Sequence, residues 1–135
     1  MAGTIAADTL THSTAGSLTT DYVVNGSAKA WVNLNGDTAA VRDSNNVASV
    51  TDNGTGDYTT NLSDSMSDAN YGVSGACCAA GSVNAAANAL QINSSAGNTL
   101  SAPTTSAFRS IGIHPPNAVK QDVDYLTLLV HGDLA

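Results

Sequence analysis

Apolar and polar residues alternate along much of the chain, in short runs separated by turn residues, the pattern of half-buried strands rather than helices. In "AKAWVNL", Ala28, Ala30, Val32 and Leu34 fall on one face and Lys29, Trp31 and Asn33 on the other, before Asn35-Gly36 turns the chain. A short strand is expected around "AAVR" (39–42), followed by the polar "DSNN" and a second run, "VASVT" (47–51). "DYTTNL" then places Tyr58, Thr60 and Leu62 on one face. The intervening Asp52, Asn53, Gly54, Thr55, Gly56 and Asp57 read as a hairpin turn. Glycine supplies positive φ there, and the aspartate and asparagine side chains satisfy backbone groups.

"ANYGVSG" predicts the next strand, with Tyr71 as a packing or subunit-interface residue. In the segment 76–90, "ACCAAGSVNAAANAL", alanines favour helix, but Gly81 and two asparagines leave runs too short to hold one in water. It reads as an irregular excursion that can carry a short strand. "SAFRSIGI" and "DVDYLTLLVHGD" close the chain, with "HPPNAVKQ" between them, where Pro115-Pro116 opposes regular pairing. The final run has Val123, Tyr125 and Leu129 on one face and Leu126, Leu128 and Val130 on the other. Both faces are apolar, which predicts cover on both sides. In so small a chain one cover is expected from a neighbouring subunit.

Residues 1–25 are rich in Thr, Ser and Ala without helical periodicity, and lead to an Asn25-Gly26 turn. They read as a partly extended attachment arm that needs a partner to hold it. Residues 26–135 form the remaining domain, all-β and antiparallel, with no fixed-period repeat to suggest a solenoid or propeller.

Composition sharpens the expectation of assembly. The 135 residues suit one domain, but only 4% are aromatic and 11% charged, against an average near 25% charged. Large apolar side chains are scarce, and a small domain with a thin core needs a staple, a metal or oligomerisation. Oligomerisation is favoured here. The net charge of −7 and the scatter of the four cations, Lys29, Arg42, Arg109 and Lys120, argue against nucleic acid or an anionic membrane as partner. The N-terminus "MAGTIAADTL" lacks the basic region and apolar core of a signal peptide, and no run approaches the ~20 apolar residues of a membrane span. Synthesis in a cytoplasm and no membrane insertion are the expectations. Cys77 and Cys78 are adjacent, too close for an unstrained mutual disulfide, and read as small core or loop residues.

No catalytic or cofactor constellation stands out. Counted from Asp52, "DNGTGD" has Asp57 where an EF-hand needs glycine and Ser63 where it needs glutamate. His12, His114 and His131 show no paired-ligand spacing, although one histidine per chain could meet its copies on a threefold axis. There is no nucleophile elbow, no glutamate, and no glycine-rich strand-to-helix turn for a phosphate. Neither enzyme nor cofactor is expected.

The most specific signal is an ordered set of motifs: Ala28-Lys29-Ala30-Trp31-Val32-Asn33, Arg42-Asp43-Ser44, Ser49-Val50-Thr51-Asp52-Asn53-Gly54-Thr55-Gly56-Asp57-Tyr58-Thr59 and Met66-Ser67-Asp68-Ala69-Asn70-Tyr71. Over residues 28–75 the chain resembles a domain of tail-fibre and spike proteins of tailed bacteriophages and related prophage particles. The chain has Leu34 where that family usually has phenylalanine. The resemblance implies a non-enzymatic virion protein, a homotrimeric, jelly-roll-like antiparallel β-sandwich knob. It implies attachment to other virion proteins through residues 1–25, with Trp31 and Tyr58 as packing or interface residues. Contact with a host-surface glycan or protein would use loops at 76–88 and 94–105, strengthened by three copies. The alternatives are a head decoration or head-fibre protein and a monomeric carbohydrate-binding module.

Overall fold

The computed structural model describes residues 6–78, 89–95, 99–114 and 119–135. It begins with an antiparallel hairpin of β1 (Thr9–His12) and β2 (Gly16–Thr19), with Thr9 opposite Thr19 and His12 opposite Gly16. A short helix, α1 (Thr20–Gly26), follows directly. The expected arm is therefore a hairpin and a helix, and Asn25-Gly26 is the last turn of α1 rather than a free turn. Asp21 in the first turn complements the helix dipole, and Lys29 Nζ donates to the Val24 carbonyl at its end.

Two larger antiparallel sheets make the body. In one, β4 (Ala40–Asn45), β3 (Ala30–Asn35), β13 (Tyr125–His131) and β7 (Gly72–Cys78) pair in that order. In the other, β12 (Val119–Lys120), β11 (Ala107–His114), β6 (Asp57–Leu62) and β5 (Val47–Asp52) are neighbours, and β8 (Ala89–Ile92) also pairs with β11. A two-residue ribbon joins β9 (Ser94–Ser95) to β10 (Thr99–Leu100).

One hydrophobic cluster draws on both sheets. Ala30, Val32 and Leu34 come from β3, and Leu126, Leu128 and Val130 from β13. Tyr58 and Leu62 come from β6 and Phe108 from β11. The alternation read at 30–34 and 58–62 thus points inward as expected, and Met66, Tyr71 and Val123 complete the cluster from loops. Tyr71 donates its hydroxyl to the Thr104 and Ala107 carbonyls and meets Phe108 edge-on, with ring centroids 6.3 Å apart.

Several sequence expectations shift. The strand expected at 39–42 runs further, as β4, through "DSNN" as far as Asn45, and the turn falls on Asn46, whose φ is 54°. The strand expected at "ANYGVSG" starts only at Gly72 and continues through Cys78. Val119 and Lys120 pair with His114 and Ile113, so part of the expected break is a short ladder. Pro115 and Pro116, and positions 79–88 of the expected excursion, lie outside the described residues. Val123 is not on the Tyr125 face of the last strand; it precedes β13 and is fully buried. Its carbonyl accepts from the Gly36 amide, which draws this residue under the core.

Candidate functional site

The 52–57 turn is an anchored structural element. Gly54 and Gly56 have φ of 113° and 64°, conformations open to glycine. The Asp52 side chain accepts from the Gly54 amide at 2.8 Å, and the Asn53 amide donates to the Asp57 carbonyl at 2.8 Å. The glycines carry the positive φ and Asp52 satisfies a backbone amide, whereas the Asn53 side chain donates to Asp57 Oδ1 and Thr59 Oγ1 rather than to backbone.

Asp57 does more than close the turn. It is fully buried, and Arg109 on β11 grips its carboxylate with Nε to Oδ1 at 2.6 Å and NH2 to Oδ2 at 2.8 Å. Lys120 on β12 donates to Oδ2 as well. Burial alone would raise the Asp57 pKa, but these hydrogen bonds outweigh it and hold the carboxyl below its ordinary range. Two of the four cations that look scattered in the sequence therefore converge on one carboxylate, from positions 52 and 63 residues away. The only local signal was a carboxylate at the first position of an otherwise apolar-faced strand.

Beside this pair, the Gly56 amide donates to Asp122 Oδ1 at 2.6 Å. The Tyr58 hydroxyl lies within 3.1 Å of the same oxygen and 2.9 Å of the Gly36 carbonyl. Burial first, then the hydrogen bond to Asp122, drive the Tyr58 pKa well above its ordinary value. Both carboxylate oxygens of Asp57 are engaged by cations of the same chain, and the cluster spans four of its segments. Its chemistry is to fasten the turn, β11, β12 and the 121–123 segment together.

The outward face of the four-stranded sheet is different. Leu129 lies opposite Trp31 in the β13–β3 register, and Tyr125 lies farther along the same side of β13. Leu129 is 37% and Tyr125 54% exposed, while Trp31 is half-buried. Among the described residues, then, β13 is fully buried on its Leu126, Leu128 and Val130 face and only partly covered on the other. Arg42 stacks 4.0 Å from the Tyr125 ring centroid while donating to the Leu34 carbonyl. Asn33, in the same outward row, has a buried side-chain oxygen without a hydrogen-bond partner among the described residues.

The remaining candidates do not gather. His131 is exposed at the end of β13 and His114 half-buried at the end of β11. Among the described residues no three His, Cys, Asp or Glu side chains are placed to hold a metal ion, and no helix is long and apolar enough to cross a membrane. Cys77 turns toward the core and Cys78 is exposed; burial, then its neighbour, raise the Cys77 pKa, opposite to the shift that activates a thiol. No protein-family model, curated protein or solved structure matches the chain.

Proposed function

We propose that the protein is a structural, non-enzymatic component of a tailed-phage or phage-like particle. It is a short homotrimeric fibre or spike whose jelly-roll-like β-sandwich knob meets a glycan or protein on the host surface. The N-terminal segment holds it to other virion proteins.

The observation that carries this reading is a division within the chain. The two larger sheets share one core, whereas none of the described side chains in residues 6–26 is buried. That segment nevertheless displays Leu10, Leu18, Tyr22, Val23 and Val24. An ordered segment with apolar residues and no cover of its own is what an attachment element needs. The motifs of residues 28–75 support the virion assignment. The outward Trp31, Leu129 and Tyr125 support a neighbouring subunit against the four-stranded sheet.

Light scattering of the purified protein over a dilution series, followed by antibody labelling of particles, tests the proposal. A stable mass of three protomers and label on the tail support it; label on the head selects the head-fibre alternative. A monomer at every concentration, with no label on particles, refutes it.

A further inference from the structure

Most sheet edges formed by the described residues carry a feature that discourages another strand. β4 bears Arg42 and Asp43 and a register shift against Asn33/Leu34. β5 has a register shift between Val47 and Ser49 and ends on Asp52. β12 is two residues long and includes Lys120, and β8 has four residues. The exception is β7. Its seven residues pair with β13 in unbroken register, from Gly72 opposite His131 to Cys78 opposite Tyr125. It contains no charge and no proline. Among the described residues no strand pairs with its other side. A long uncharged edge is a template for strand addition.

A second, independent observation lies near the other end of the chain. Among the described residues the β1–β2 hairpin pairs with no other strand, and Leu10 and Leu18, directly opposite each other, are 47% and 44% exposed. A two-stranded hairpin is marginal in water and becomes stable when a further strand or an apolar face joins it. The hairpin is also uncharged from Thr9 through Thr19.

We propose that the β1–β2 hairpin of one protomer adds to the open edge of β7 in a neighbouring protomer. This rests on the trimeric reading above and gives it a mechanism, and it leaves α1, with the exposed Tyr22, Val23 and Val24, as the part of the N-terminal segment that meets other virion proteins. The contact is heterologous: each protomer inserts one hairpin and receives one, and three such contacts can close a ring. Charge selects the same surfaces. At a net charge of −7 like charges on two copies repel, and neither β7 nor the hairpin carries an Asp, Lys or Arg to add local repulsion at the contact. Backbone hydrogen bonds then supply affinity. The half-buried Val73 and Cys77, at the rim of the core, extend an apolar surface toward the incoming leucines.

The test uses the full chain in two forms. Ser74→Lys places a charge on an exposed, outward position of β7, and Leu10→Lys with Leu18→Lys damages the hairpin face. With folding verified by far-UV circular dichroism, light scattering is expected to give three protomers for the unaltered chain and one for each variant. An equimolar mixture is expected to give two, because the intact hairpin of one variant still enters the intact edge of the other. Ala76→Lys is the substitute edge variant if Ser74→Lys does not fold. A trimer from either variant, or a mixture that stays monomeric, overturns strand addition and leaves the trimer itself standing. An unaltered chain that is monomeric throughout overturns both.

Discussion

The Tyr58 hydroxyl lies between two acceptors, the Gly36 carbonyl at 2.9 Å and Asp122 Oδ1 at 3.1 Å, although Tyr58 belongs to one sheet and Gly36 follows a strand of the other. Its single proton thus ties the two sheets at the end where the ion-paired turn sits. A Cβ at Gly36 would lie 2.6 Å from that hydroxyl and 2.5 Å from the Val123 carbonyl, so the approach requires glycine.

Tyr58→Phe keeps the ring in the core and removes the donor. The Gly36 carbonyl loses a partner, whereas Asp122 retains the Gly56 amide. The expected loss is about 1–2 kcal/mol of unfolding free energy. Urea denaturation checks it: the midpoint should fall with an unchanged slope. An unchanged midpoint would mean that water replaces the hydroxyl without cost.

Asp57 predicts an acid limb of defined sign. Its folded pKa is depressed because the Arg109 and Lys120 hydrogen bonds outweigh burial. The unfolded chain therefore binds the proton first as pH falls. The stabilisation is complete above the ordinary carboxylate value of about 4 and disappears as pH falls through the lower, folded value. Asp57→Asn is expected to cost about 3 kcal/mol at neutral pH, since it leaves both cations without their partner. The difference from the unaltered protein should narrow below about pH 4. Denaturant midpoints across that range measure it, and a constant difference would show that Asp57 acts through packing alone.

The two turn glycines should rank differently. A Cβ at Gly56 would lie 2.5 Å from the Gln121 carbonyl oxygen and 2.6 Å from its amide nitrogen, both backbone atoms, at a φ of 64°. Gly54 has open space around it and a φ of 113°, so alanine there meets conformational strain only. Gly54→Ala should cost about 1–2 kcal/mol and Gly56→Ala about 3. Thermal unfolding gives the order, and the reverse order would show that the 121–123 segment yields easily.

Period-two alternation made 30–34 and 58–62 legible, because each of those strands has one face in the core. The glycines and Asx residues made the turn between β5 and β6 legible for the same local reason. β4 was read too short because an edge strand with a wet outer face needs little hydrophobicity. The β1–β2 hairpin and α1 left no signal, since none of their described side chains is buried. The Asp57 cluster was invisible because its partners are distant in sequence and pairing between strands is set by topology. Val123 was misplaced because alternation was extended past the end of β13, into a segment held by the Gly36 amide and by the Gly112 carbonyl that Gln121 reaches.

Adjacent residues on β13 separate folding from assembly. Leu128 is 1% exposed in the core, and Leu129 faces outward opposite Trp31. Leu128→Ala should cost about 2–5 kcal/mol at any protein concentration, through lost burial and the cavity left behind. Leu129→Asp removes nothing from that core. If a neighbouring subunit covers the outward row, the unaltered protein gains stability by mass action and its Tm rises with concentration. Leu129→Asp should abolish that rise and leave a folded monomer. A concentration-independent Tm in the unaltered protein, matched by the variant, would make Trp31 and Leu129 an ordinary solvated pair and remove the outward face from the assembly.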